Sequence, residues 1–195
     1  MKKYLLIVLA ALICFACDST SPDETIDYLP GMIPMKVGFY WTYDVSVYDS
    51  NGVMTQNNLW RVSIIRDSMI NNEKWYLFRE SEPGTEYYFD ANWHTNRNNV
   101  TYYLAGSNPQ VVYPVEISSV DSNYSINRHR LVSKNEEVVV PYGVYTAYLY
   151  LIESTENEYF VALNKGQLKH INYLKRVDGS KYVFMISQLV DTNVF

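Results

Sequence analysis

The sequence predicts an all-β chain, a curved antiparallel sheet or unclosed β-barrel with short helices at most. Three observations predict it. Apolar and aromatic residues alternate with polar ones at a period of two, as where Trp41, Tyr43, Val45 and Val47 are set against Thr42, Asp44 and Ser46. Turn signals built from Asn, Gly and Pro separate these segments at short intervals, the spacing of antiparallel strands. Tyrosine, a strand-favouring residue, occurs 19 times. No long window carries a 3.6-residue apolar period.

Three parts follow in order: residues 1–16, an export signal; residues 17–29, a tether; and residues 30–195, one antiparallel β domain. Lys2 and Lys3 form a positive start, Tyr4 to Phe15 an apolar run, and the small Ala16 precedes Cys17. The apolar run is shorter than the roughly 20 residues a bilayer-spanning helix needs. Asp18 to Thr25 is polar, acidic and interrupted by Pro22, so it cannot bury enough apolar surface to offset ordering.

Tyr28-Leu29-Pro30-Gly31 signals a turn, and strands begin after it. Asn51-Gly52 predicts a tight two-residue hairpin, because both residues tolerate positive φ. Trp60, Val62 and Ile64 form the partner face to Trp41, Tyr43, Val45 and Val47, all directed inward. Asn71-Asn72 marks the next turn, Trp75 to Phe78 the return strand, and Glu82-Pro83-Gly84 its end. Tyr87 to Asp90 and Val100 to Leu104 are read as strands flanking a polar loop, Asn92 to Asn99. Ser107-Asn108-Pro109 reads as a break, and Pro114 assigns Val111 to Val115 to an edge or a strand end. Ser118 to Ser125 reads as loop, and Ser125 to Ser133 as a strand carrying Ile126, His129, Leu131 and Val132. Val138 to Val140, Val144 to Glu153, Tyr159 to Leu163, Gln167 to Lys175 and Lys181 to Val190 complete the strands. Within Val144 to Glu153, Tyr148, Tyr150 and Ile152 share one face and Leu149 and Leu151 the other, so both faces need cover.

Loss of residues 1–16 removes Lys2 and Lys3 and moves the formal charge from −5 to −7. That balance argues against nucleic acid as a partner, which asks for a basic face. Cys14 leaves with the signal, so Cys17 is the sole cysteine of the mature chain and no internal disulfide forms. His94, His129 and His170 lie in separate segments without a metal-type partner at i+2 or i+4. There is no G-x-S-x-G elbow, phosphate loop or dinucleotide fingerprint. Glu136 and Glu137 are adjacent, so on a strand they face opposite ways and make no acid/base pair. The expectation is a chain with no catalytic residue, no metal and no cofactor.

Ile13-Cys14-Phe15-Ala16-Cys17 resembles a bacterial lipoprotein cleavage box. The resemblance implies that the Cys17 thiol is acylated, the signal is cut before it and the new amino group is acylated too. Pro34-Met35-Lys36-Val37-Gly38-Phe39-Tyr40-Trp41-Thr42-Tyr43 resembles the P-x-x-x-G-x-x-W-x-Y opening of uncharacterised Bacteroidetes-type lipoproteins. Val139 to Tyr145 and Asn164 to Lys169 resemble their later V-P-x-G-x-aromatic and G-x-(V/L)-K half. This similarity implies an unclosed barrel like that of the lipoprotein-localisation-factor class. It implies a place in the bacterial cell envelope, lipid-anchored at the outer membrane, and no defined activity.

Two function classes stay open. One is a non-catalytic binding module for a hydrophobic ligand or a saccharide, with Trp41, Tyr43, Trp60, Tyr148 and Tyr150 as candidate contacts. The other is an envelope protein that contacts another protein and holds no small ligand. A groove lined by Trp and Tyr separates the first from a filled core, which marks the second. Lipidation has its own test: radiolabelled palmitate enters the wild-type chain and is absent from Cys17→Ser, whereas equal labelling of the two rules it out.

Overall fold

The computed structural model describes residues 28–84, 88–114, 129–152 and 154–194. The export signal, Cys17, the tether up to residue 27 and the Ser118 to Ser125 loop lie outside them. Among the described residues there are eleven strands and no helix, so the short helices allowed for by sequence are not found. They are β1 (Tyr40–Tyr48), β2 (Met54–Ile70), β3 (Glu73–Ser81), β4 (Tyr88–Arg97), β5 (Val100–Ala105), β6 (Asn108–Tyr113), β7 (His129–Val140), β8 (Gly143–Ile152), β9 (Glu158–Ala162), β10 (Gly166–Lys175) and β11 (Lys181–Thr192). All pair antiparallel in one sheet, in the order β6-β5-β4-β3-β2-β1-β11-β10-β9-β8-β7. The sheet curls until its two edges meet. β6 and β7 share no ladder, yet Tyr113 of β6 packs on His129 of β7 with ring centroids 5.0 Å apart. The result is a nearly closed barrel with one unsealed seam, and β1 sits mid-sheet, five strands from either edge.

Strand alternation sorts the wall. Trp41 pairs with Val62 and Tyr43 with Trp60 on β2, while Tyr43, Val45 and Val47 pair with Leu189, Ser187 and Met185 on β11. Trp41, Tyr43, Val45, Ile64 and Leu189 are buried inside. Asp44, Asn57 and Arg61 face outward, where the Arg61 guanidinium lies 4.3 Å over the Tyr40 ring. No helix among the described residues is long and apolar enough to cross a membrane.

Two turns have the mirror-type geometry that matches strand twist. Asn71-Asn72 (φ 53° and 62°) joins β2 to β3, and Asn98-Asn99 (φ 51° and 66°) joins β4 to β5. Asn51-Gly52 does not form the expected two-residue turn. Only Gly52 has positive φ, and the Asp49 carbonyl accepts the Gly52 N–H at 3.0 Å while Asp49 N–H donates to Val53 at 2.9 Å. The Asp49 carboxylate takes the Asn51 and Val53 N–H groups at 2.8 and 2.9 Å, which holds the chain in a longer, bulged loop. Asn92 to Asn99 is likewise not a loop, since β4 runs through it to Arg97. Its polar side chains are compatible with a strand because Thr95 and Asn96 are buried and hydrogen-bonded. The break read at Ser107 to Pro109 is a Gly106-Ser107 turn, with Asn108 and Pro109 already in β6, where an edge strand tolerates proline.

The segment before β1 plugs one end of the barrel. Leu29 and Met35 bridge each other through two 2.9 Å hydrogen bonds, and Met32 and Met35 are fully buried. The Asn96 amide donates to the Leu29 and Ile33 carbonyls at 3.3 and 2.7 Å, and its oxygen accepts from Thr101 at 2.8 Å. Gly31 donates to the Asn164 side chain at 3.0 Å and accepts the Asn164 N–H at 2.9 Å. A Cβ on Gly31 would lie 2.4 Å from the Asn96 amide, so the fit requires glycine. The tip of the β7–β8 hairpin folds over the same end, where Tyr142 N–H donates to the Leu189 carbonyl at 3.2 Å.

Asn96 therefore fastens the plug. Asn96→Ala is expected to leave buried carbonyls unpaired and to cost about 2–3 kcal/mol in denaturant unfolding. Amide exchange at Leu29 and Met35 should quicken while that of β10 and β11 does not.

Candidate functional site

Above the plug the barrel encloses a cavity of about 360 Å³. Ile33 forms its floor. Its walls are Trp41, Tyr43 and Val45 of β1, Trp60 and Val62 of β2, Phe78 and Glu80 of β3, and Asn92 and His94 of β4. Tyr159 of β9, Gln167 and His170 of β10, and Met185 and Ser187 of β11 complete them. Most follow from alternation along their strands. In β10 the ladder shifts between Gln167 and Lys169, a bulge that changes the phase and brings both Gln167 and His170 to the cavity.

The large rings are fixed in place. The Trp41 indole N–H donates to the Lys165 carbonyl at 2.6 Å, and its ring stacks on Phe78 at 6.1 Å and 11°. The Tyr43 hydroxyl donates to the Gln167 carbonyl at 3.0 Å. Burial, and then the nearby Glu80 charge, push the Tyr43 pKa far up, so the phenol stays a neutral donor. His94 packs edge-on against Phe78 at 4.6 Å. Trp60 is 37% exposed, the most open of the large lining rings.

On the opposite wall Tyr159 stacks on His170, centroids 4.1 Å apart at 16°, and meets His129 edge-on at 4.7 Å. Nε2 of His170 and both ring nitrogens of His129 are buried without a hydrogen-bond partner. Burial lowers His170 from 6.5 to about 4 and, with His170 beside it, lowers His129 to about 4 as well. Both imidazoles are therefore neutral near pH 7. Burial raises Tyr159 to about 12.

Of the candidate contacts read from sequence, Trp41, Tyr43 and Trp60 come together on this cavity. Tyr148 and Tyr150 do not. Tyr150 is fully buried in a second cluster with Met32, Tyr113, Leu131 and Val161, and its hydroxyl donates to the Pro114 carbonyl at 2.9 Å. Tyr148 packs on that cluster. Both brace the seam instead. Phe78, Glu80, Asn92, His94, Tyr159, Gln167 and His170 were not among those candidates. Phe78 and Glu80 share a strand parity that could have shown them, whereas Asn92 and His94 were hidden by the loop reading. Among the described residues no group of three or more His, Cys, Asp or Glu is placed to hold a metal.

No protein-family model matches the chain, and no curated protein matches it. Among solved structures, a candidate lipoprotein from Parabacteroides distasonis superposes with a TM-score of 0.51 at 10% identity, over 85% of this chain and 99% of its own. A candidate exported protein from Bacteroides fragilis, described as having a YmcC-like fold, gives 0.49 at 10% identity, over 85% and 98%. The first likeness establishes a shared fold.

The buried histidines set a pH dependence of stability. Each has a folded pKa below its unfolded value, so the unfolded chain binds more protons as pH falls below 6.5. Stability is retained above that pH and lost progressively down to about 4, by at most about 3 kcal/mol per histidine. Denaturant midpoints measured from pH 7 to pH 4 should fall, and the fall should shrink in His129→Phe and His170→Phe.

Proposed function

We propose that the protein is a lipid-anchored bacterial envelope protein, at the outer membrane, that binds a small ligand inside its barrel and performs no catalysis on it. The observation that carries this reading is the unfilled cavity, lined by Trp41, Tyr43 and Trp60 and edged by Asn92, Gln167 and Ser187. Ring faces with a few amide and hydroxyl groups between them suit a ligand with an apolar face and a hydrogen-bonding rim. A saccharide has that form: its C–H face stacks on indole or phenol and its hydroxyls reach the polar groups. At about 360 Å³ the volume lies near the low end of small-ligand sites, which disfavours a multi-chain lipid. The envelope location rests on the Met1 to Cys17 layout and on the likeness in fold to a protein described as a lipoprotein. A partner-only envelope protein would need no interior space, so the cavity favours the binding module.

Native mass spectrometry of the protein purified from its own envelope should show a bound small molecule. Tryptophan fluorescence should then respond to titration with the released compound, and Trp60→Ala should weaken binding about tenfold, about 1.4 kcal/mol. Absence of a bound compound, together with no response to a saccharide panel, leaves the partner-only reading ahead.

A further inference from the structure

We infer that the plugged end of the barrel rests on the bilayer that holds the Cys17 acyl chains, with the β7–β8 tip seated shallowly in the lipid interface. The inference rests on the lipid-anchor reading and adds which face of the domain meets the lipid.

The first observation is where the anchor joins the domain. The Tyr28 ring lies 6.0 Å from Phe39, just before β1, and Leu29, Met32 and Met35 belong to the plug. Cys17 stands eleven residues before Tyr28. Fully extended, such a length reaches at most about 40 Å. β1 has nine residues and leads about 30 Å away from this end. To lay the far end on the bilayer, the linking residues would have to run back along the wall at close to full stretch. The plugged end meets the bilayer without that.

The second observation is what this end exposes. The β7–β8 hairpin folds over it, and the Tyr142 hydroxyl donates to the Thr192 carbonyl at 3.3 Å. Val138 and Val140 pack into the core. Val139 between them faces the other way, as does its cross-strand partner Val144, and they are 64% and 62% exposed. Tyr142 at the tip, Leu163 in the β9–β10 turn and Val37 beside the plug are exposed at the same end. The next pair on the Val139 and Val144 face is Glu137 with Thr146, where polar groups begin. The apolar tip is thus two residues of strand deep, about 7 Å, within the roughly 5–10 Å that an interfacial element sinks into a bilayer.

Apolar side chains gathered at one exposed end call for a partner, and a tyrosine among them suits the boundary between water and lipid. The far end also exposes Val53, Met54, Leu174 and Val177. Its turns, however, are built on the Asp49 and Asp178 carboxylates, and burying those charges in an apolar boundary is costly. The acyl chains hold the protein near the membrane and the tip orients it. The plug, with Ile33 on the cavity floor, then lies between the bilayer and the cavity.

The test reconstitutes the full lipidated chain in vesicles of phosphatidylethanolamine and phosphatidylglycerol. With Cys17 acylated, an introduced cysteine is the one free thiol. A nitroxide is attached in turn to Val139→Cys, Val144→Cys and Leu163→Cys, with Val53→Cys and Val177→Cys as far-end controls. All five positions are exposed, so the core is undisturbed. Each label is read for its access to oxygen, which partitions into lipid, and to a water-soluble nickel chelate. The oxygen-to-nickel ratio should be several-fold higher at residues 139, 144 and 163 than at 53 and 177. Equal ratios at the two ends, in a chain that carries palmitate and floats with the vesicles, overturn the inference and leave the anchor reading standing. Plugged-end labels shielded from both reagents also overturn it. Dipolar broadening between labels would then put a second copy on this end, and its absence would put residues 18–27 there. A chain that takes up no palmitate and does not float overturns both the anchor reading and the inference.

Discussion

The Trp41 indole joins three parts of the barrel at one point. Its N–H is bonded to the Lys165 carbonyl in the β9–β10 turn, and its ring lies on Phe78 across β2. The edge of the ring faces Gly166, where a Cβ would come within 3.0 Å of the indole nitrogen and where φ is +90°. Glycine is required there on both grounds. Gly166 in turn donates to the Met32 carbonyl at 3.1 Å, so the same turn that receives Trp41 holds the plug. Tyr43 repeats the arrangement two residues on, with its hydroxyl on the Gln167 carbonyl. β1 and β10 are not neighbours in the sheet, because β11 lies between them. Two side-chain bonds thus cross-link the barrel through its interior, each satisfying a polar group that burial would otherwise penalise.

These cross-links explain why the interior keeps empty volume. Close packing is the usual state of a protein core, and a barrel this size could be filled by rings that swing inward. Trp41 and Tyr43 are not free to do so, since each would abandon its hydrogen bond. The opposite wall is held by stacking of Tyr159 on His170 and by the edge contact with His129. One wall is therefore fixed by donors that are satisfied, the other by imidazoles of which both His129 nitrogens and His170 Nε2 are not. Buried polar atoms without partners are rare in folded proteins and call for a reason. A ligand that reaches His170 Nε2 from the cavity supplies one on the proposed reading.

Much of this fold was legible in the sequence because one face of each central strand is buried. Trp41, Tyr43 and Val45 could be placed on one inner face with Trp60, Val62 and Ile64 from period two alone, and the cavity that all of them but Ile64 line follows from that face. Illegible positions had local reasons. Asn51-Gly52 has the right residues for a two-residue turn, but the Asp49 carboxylate captures two N–H groups and sets a longer loop. β4 looks like a loop because its polar residues face inward, where Asn96 is used to hold the plug. The bulge at Gln167 to Lys169 inverts the phase of β10, so no alternation count would have brought Gln167 and His170 to one site. Tyr150 was read as a ligand contact from its face, yet that face closes the seam.

The seam shows how a barrel can close without a last ladder. Pro109 removes an N–H from the edge strand β6, and the two edges rely on side chains to meet. Tyr113 lies 5.0 Å from His129 and 5.2 Å from Tyr150, and the Tyr150 hydroxyl binds the Pro114 carbonyl just past the end of β6. Met32 from the plug enters the same cluster, so plug and seam are packed as one unit. His129 belongs to both this clasp and the ring stack that ends at the cavity on His170. Closure of the barrel and the neutral state of His170 on the cavity wall consequently depend on the same run of buried rings. A cation at His129 would have to be accommodated between Tyr113 and Tyr159 with no bonded partner for either nitrogen, against the packing that holds the two edges together. The fold is thus consistent only with neutral imidazoles at His129 and His170, and their neutrality follows from the way the barrel is shut.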